Sequence, residues 1–191
     1  MKQLDTLRYL EKMRAAIAAI RSTTRTGRRL ETSAALELLR RRFVETRRRR
    51  KKLIFIGNGG SAAVSGHMAE DFTKVGKIRA ICFNDAPFLT CLGNDYSFEQ
   101  IFEKAIEFQA DRGDLCVGIS SSGRSKNIIN GIRAARKCGC FTVTLSGFKP
   151  GNPLSRSGDL NLHLPTSSYG VTELSHETVL HYLLDVIAGT L

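Results

Sequence analysis

The chain has 191 residues, enough for a domain with a sizeable core, and its 42% apolar and 25% charged content is that of an ordinary globular protein. No apolar run approaches the roughly 18 residues of a membrane span, and the opening MKQLDTLRYLEKMRAAI mixes acids and bases without a signal-peptide core, so the expectation is a soluble, cytoplasmic protein with no membrane contact. The net charge of +11 admits nucleic acid, but the excess sits in Arg40–Lys52 (RRRFVETRRRRKK), which has one Glu and no aromatic besides Phe43; a solvated helix end, or a surface attracting anionic metabolites or subunits, explains it more simply.

Residues 2–20 place Leu4, Leu7, Leu10, Met13, Ile17 and Ile20 at helical spacing. Ser22–Gly27 reads as a loop, and a second helical pattern runs from about Leu30 to Arg49, with Leu36, Leu39, Phe43 and Val44 as its stripe. Two helices ahead of the remaining chain need somewhere to bury those stripes, and a partner subunit is one such place. From Leu53 onward strands alternate with helices, the signature of βαβ units and a parallel sheet. The expected strands are Leu53–Ile56, Arg79–Phe83, Leu115–Ser120, Phe141–Leu145 and Leu160–Leu164. The expected helices are Ala62–Lys74, Pro87–Leu92, Phe98–Gln109, Asn127–Lys137 and Val171–Ile187, with Gly93-Asn94-Asp95 and Gly147–Gly158 as loops. The cysteines (Cys82, Cys91, Cys116, Cys138, Cys140) show no zinc-finger spacing and read as reduced structural thiols.

Two turns carry the chemistry. After the first apolar strand comes Gly57-Asn58-Gly59-Gly60-Ser61 and then a helix, a geometry that suits an anion. It lacks both the Lys of a P-loop and the third glycine of the dinucleotide fingerprint. After the third strand, Ser120, Ser121, Ser122 and Ser125 offer hydroxyls and backbone N–H groups suited to phosphate; an ordinary N-cap needs only one serine. In an open parallel sheet both turns lie at the carboxyl ends of the strands, where ligands bind. His67 and Asp71 stand one helical turn apart and can hold zinc or a similar ion, or move protons. Glu173 and His181, on the last helix, complete a candidate group, with His163 and His176 as further candidates.

The ordered motifs G57-N-G-G-S61, His67, C91-L-G-N-D95, G118-I-S-S-S-G-R-S125, A134-A-R-K-C-G-C-F-T-V-T-L-S-G147 and E173-L-S-H-E-T-V-L-H181 resemble the sugar isomerase (SIS) domain family, within it the branch that isomerises heptose phosphates, over residues 1–191. The resemblance implies a three-layer α/β sandwich, a flavodoxin-like five-stranded parallel sheet with two leading helices (1–50) packed on the core (51–191) and on partner subunits of a homotetramer. It implies an aldose–ketose isomerase taking a sugar phosphate such as sedoheptulose 7-phosphate in heptose synthesis for surface polysaccharide. Asn58, Gly59, Gly60, Ser61, Asn94, Asp95, Ser120, Ser121, Ser122 and Ser125 would contact the substrate. His67, Asp71, Glu173 and His181 would hold one zinc per subunit, and Asp71, Glu173 and His181 would carry the proton transfers. Asp71 stands where the best-known members carry glutamate, and Glu173 where they carry glutamine. An alternative is a phosphosugar-binding or adaptor protein without turnover.

Overall fold

The computed structural model describes residues 5–191. In chain order the elements are α1 (Thr6–Ala18), β1 (Arg21–Thr24), β2 (Arg29–Leu30), α2 (Thr32–Arg48), β3 (Lys52–Gly57), α3 (Gly60–Lys74), β4 (Arg79–Cys82), α4 (Ala86–Asp95), α5 (Ile101–Gln109), β5 (Leu115–Ser120), α6 (Lys126–Lys137), β6 (Phe141–Ser146), β7 (Leu160–His163) and α7 (Tyr169–Ala188). Short 3-10 turns precede α5 (Phe98–Gln100) and β7 (Leu154–Arg156). All five expected strands and all seven helices form.

The sheet has seven strands in the order β2-β1-β7-β6-β5-β3-β4, rather than five. Its parallel part, β7-β6-β5-β3-β4, has the doubly wound order with its switch between β3 and β5. The extra strands come from the stretch expected to be a loop. Arg21–Thr24 pairs antiparallel with β7, and Gly27, at φ +83°, turns the chain back into β2. A β7 edge with unmade hydrogen bonds is what turns this polar, threonine-rich run into a strand.

Helices cover both faces, which explains why β3 is apolar from Leu53 onward. Leu53 and Phe55 point into one core, with Leu39, Phe43, Phe72 and Leu180; Ile54 and Ile56 point into the other, with Phe102, Ile106, Ile128 and Ile132. On the second face Gly131 of α6 lets the helix close on the sheet, since a Cβ there would lie 2.7 Å from Ile56. The leading helices serve the first core through Ala16, Ala35, Leu39 and Phe43. Within α1, Met13 and Ile17 are partly buried, whereas Leu7 and Leu10 stay 76% and 53% exposed; Leu4 lies outside the described residues.

Much of the basic run is answered on its own helix. Glu37 pairs with Arg40 and Arg41 at 2.6 and 2.7 Å, and Glu45 with Arg42 and Arg49 at 3.3 Å each. The first two guanidiniums pull Glu37 down to about 2. All five cysteines are free thiols, and burial pushes Cys140 up to about 12, which leaves it unreactive. No helix among the described residues is long and apolar enough to cross a membrane.

His176, wholly buried on α7, places Nε2 3.3 Å from the Ser146 carbonyl. Burial pulls its pKa down to about 4 against that hydrogen bond. Below about pH 6.5 the unfolded chain takes a proton that the folded one refuses, so stability is lost as pH falls towards 4, by an amount of order 3 kcal/mol. Burial also lowers His163, with the same sign. Urea midpoints measured across this window are expected to fall steeply, and His176→Gln is expected to flatten the decline.

Candidate functional site

The turns after β3 and β5 meet at the switch in strand order. Asn58, in the first, and Asn127, at the start of α6, exchange two side-chain amide hydrogen bonds of 2.9 Å each, which locks the turns together. Gly59 sits at φ +54° and ψ −124°, a conformation that suits glycine. Gly60 leaves open a space that a side chain would fill, and the carboxylate of Glu173 packs into it. The first turn therefore receives its anion from within the chain, at the positive end of α3. A substrate phosphate would be repelled there, and that moves the phosphate seat to the serine loop.

The serine loop fits that role. Ser120 and Ser125 face each other through their hydroxyls at 3.2 Å, so Ser125, the N-cap residue of α6, does not cap the helix with its side chain. Asn127 Oδ1 accepts from Ile128 N at 3.0 Å, which leaves the Lys126 and Asn127 N–H groups to point out of the helix end. The Ser121 hydroxyl is buried with no partner among the described residues. Ser122 accepts from Arg124 N at 3.3 Å. The loop is braced from below: Ser121 O accepts from Gly147 N at 3.0 Å, and Gly123 O from Leu154 N at 3.0 Å.

The second half of the site is a cluster between α3 and α7. His67, Asp71 and His181 each offer a ligand atom within 4.8 Å of the others. His67 Nε2 lies 3.3 Å from Asp71 Oδ2, His181 Nδ1 lies 3.8 Å from the same oxygen, and the two imidazoles stand edge to face with centroids 5.0 Å apart. Glu177, which sequence reasoning missed, places Oε1 2.7 Å from His67 Nδ1. Its signal was present: Glu173, Glu177 and His181 fall four apart along one helix face.

These contacts decide how the imidazole is used. With Nδ1–H donated to Glu177, the Nε2 lone pair faces a carboxylate oxygen, an arrangement that repels unless a proton or a cation lies between them. Correspondingly, the Glu177 hydrogen bond, helped by the charge of Asp71, raises the pKa of His67 against a desolvation penalty. Two imidazoles and one carboxylate are the donor set of a catalytic zinc with an open position, and a carboxylate behind the histidine is its usual support. The cluster thus fits such an ion.

Glu173 is not in that cluster. It lies two turns earlier on α7, about 12 Å along the helix from His181, beside Thr172, whose methyl a Cβ at Gly147 would approach to 2.7 Å. Glu173 therefore faces the turn after β3, at Gly60, rather than the histidines. Ser61 is buried at the start of α3, its backbone N–H bonded to Asn58 O at 3.0 Å. Asn94 and Asp95, expected in a loop, instead end helix α4, because Asp85 caps that helix (2.9 Å to Phe88 N) and the chain stays helical through Gly93. They are exposed, and Asn94 Nδ2 bonds Asp95 Oδ1 at 3.0 Å. His163, the last residue of β7, and His176, on α7, face Phe148 O and Ser146 O and stand apart from the cluster.

Comparison with known proteins gives a consistent result. The SIS domain family matches residues 8–147. The chain is 36% identical to the phosphoheptose isomerase of Trichlorobacter lovleyi over 163 residues, 82% of this chain and 83% of that one. It is 34% identical to the phosphoheptose isomerase of Geobacter sp. (strain M21) over 93% of this chain and 95% of that one. Its fold superposes on a phosphoheptose isomerase structure from Neisseria gonorrhoeae with a TM-score of 0.81 and 26% identity, over 96% of each chain.

Proposed function

The chain belongs to the SIS domain family, and on that premise we propose that it is an isomerase converting sedoheptulose 7-phosphate to the corresponding aldoheptose 7-phosphate. The observation that carries the reading is the pairing of a serine loop at the start of α6 with a His67–Asp71–His181 cluster between α3 and α7. Phosphate held at one end leaves the carbonyl end of an open-chain sugar to reach the other.

The serine loop binds the phosphate through its hydroxyls and the free N–H groups of α6. Glu173, a carboxylate outside the donor cluster, takes the proton from the carbon beside the carbonyl and returns it to the neighbouring carbon. His181 turns Nδ1 towards Asp71, which leaves Nε2 as the ring nitrogen that takes a proton from one substrate oxygen and returns it to the other. His67, Asp71 and His181 would hold zinc, which when bound polarises the carbonyl and eases loss of the adjacent proton. Glu177 fixes the His67 ring for that ligation. The exposed Leu7 and Leu10 of α1 support burial against further copies in a homotetramer. We place the enzyme in the cytoplasm, where its phosphorylated substrate is kept.

The test is turnover. Protein incubated with sedoheptulose 7-phosphate, with and without a chelator, is expected to form the aldose by NMR, with chelation stopping it and zinc restoring it. Stabilisation of the fold by the sugar phosphate without any product would overturn the enzymatic reading in favour of a phosphosugar-binding protein.

A further inference from the structure

The antiparallel edge of the sheet carries charge that the isomerase reading does not use. Directly opposed residues share a face of a sheet. Arg21 opposes His163, and Thr23 opposes Asn161 on one side and Arg29 on the other. These side chains therefore share one face, while Leu30 and Leu162 take the other, against the core. Over the parallel strands the first of these faces is covered by α6, which packs on β5 and β6; at β7 and β1 the 3-10 turn Leu154–Arg156 flanks it. An open basin of about 830 Å³ results, bordered by Arg21, Arg25, Arg29, Arg156 and His163. Gly151 makes room for Arg156: a Cβ there would lie 2.8 Å from the guanidinium.

The charges are poorly answered. Among the described residues Arg25 meets Asp159 at 3.6 Å, but no carboxylate comes within 4.0 Å of Arg21, Arg29 or Arg156. Glu31 is the acidic residue on the rim. The charge of Arg21 is felt at His163, whose pKa is lowered first by burial and further by that guanidinium. Guanidinium forks match phosphate oxygens two at a time. A single phosphate would satisfy only part of this set, while the volume is that of a small-molecule site. The lining has no Phe, Tyr or Trp ring on which a base could stack, and its one imidazole, His163, is buried, which argues against nucleic acid. We propose that this basin binds a small anion carrying two or three linked phosphate groups, independently of the serine loop.

Calorimetric titration of the full-length protein with inorganic triphosphate tests it. One saturable event per chain is expected, weakening as salt rises. The double variant Arg21→Gln/Arg156→Gln is expected to weaken binding at least about tenfold with an unchanged melting temperature, as expected for charge-assisted contacts, while Ser122→Ala/Ser125→Ala leaves it intact. If the double variant does not fold, Arg29→Gln, on the outer strand, gives the same reading. Absence of binding at low salt overturns the proposal, and so does binding that survives the arginine changes or disappears with the serine changes.

Discussion

Glu173→Gln is expected to lower turnover of sedoheptulose 7-phosphate by about 10²–10⁴-fold, the usual contribution of a positioned base, while zinc affinity stays within a few-fold of the parent. Asp71→Asn is expected to lose both. The difference follows from where the two carboxylates stand. One Asp71 oxygen lies 3.3 Å from His67 Nε2 and 3.8 Å from His181 Nδ1, so it is a ligand atom of the cluster. Glu173 is outside that cluster, against Gly60, and no Lys, Arg or His nitrogen lies within 4.0 Å of it among the described residues. A carboxylate without such a partner is available to accept a proton. Glutamine is what the best-known members of the family carry at this place, but beside a glutamate where this chain has the shorter Asp71. With Asp71 one methylene short, glutamine at 173 keeps the shape and leaves no carboxylate in reach of the carbon, so a change in rate without a change in metal content isolates the proton step. Zinc affinity is read by competition with a chromophoric chelator. The opposite pattern, a silent Glu173→Gln and an inactive Asp71→Asn that keeps its zinc, would assign the base to Asp71.

Asp114→Ala is expected to destabilise the fold by about 3–5 kcal/mol, the range for removing one member of a buried charge pair. Asp114 has no accessible surface. One of its oxygens accepts from Lys52 N at 2.8 Å; the other accepts from Asp111 N at 2.8 Å and meets Lys52 Nζ at 3.0 Å. This carboxylate fastens the start of β3 to the start of β5, the two strands whose far ends carry the site. Alanine leaves two buried N–H groups without an acceptor and the Lys52 ammonium, on a side chain only 12% exposed, with Asp111 as its one remaining carboxylate. Asp111 also meets Lys52 Nζ at 2.5 Å but is 69% exposed, so Asp111→Ala is expected to leave the urea midpoint close to that of the parent. Urea denaturation of the two variants side by side checks the contrast.

The parallel strands were legible because the central ones, above all Leu53–Ile56 and Leu115–Ile119, are short apolar runs, a pattern that burial on both faces imposes. The antiparallel hairpin was not. R-S-T-T-R-T-G is polar and ends in glycine, and what makes it a strand is the open edge of β7, far away in sequence. The serine loop was legible from its excess of hydroxyls. The histidine cluster was half legible: the four-residue spacing of His67 and Asp71 places them on one face, but which residues of α7 meet them depends on how α3 and α7 align. That alignment sets Glu173 beside Gly60 and Glu177 beside His67. The role of Gly60 was hidden for the same reason, since its missing side chain makes room for a carboxylate more than a hundred residues later.

The two ends of the sheet constrain how copies of this chain can associate. One boundary strand, β2, is two residues long and begins with Arg29; the other, β4, is four residues long and begins with Arg79. Short margins bearing guanidiniums are poor templates for another strand. Sheets from neighbouring molecules are thereby kept from fusing into a continuous ribbon, and any stable assembly has to be built through helical faces such as the one that Leu7 and Leu10 leave uncovered.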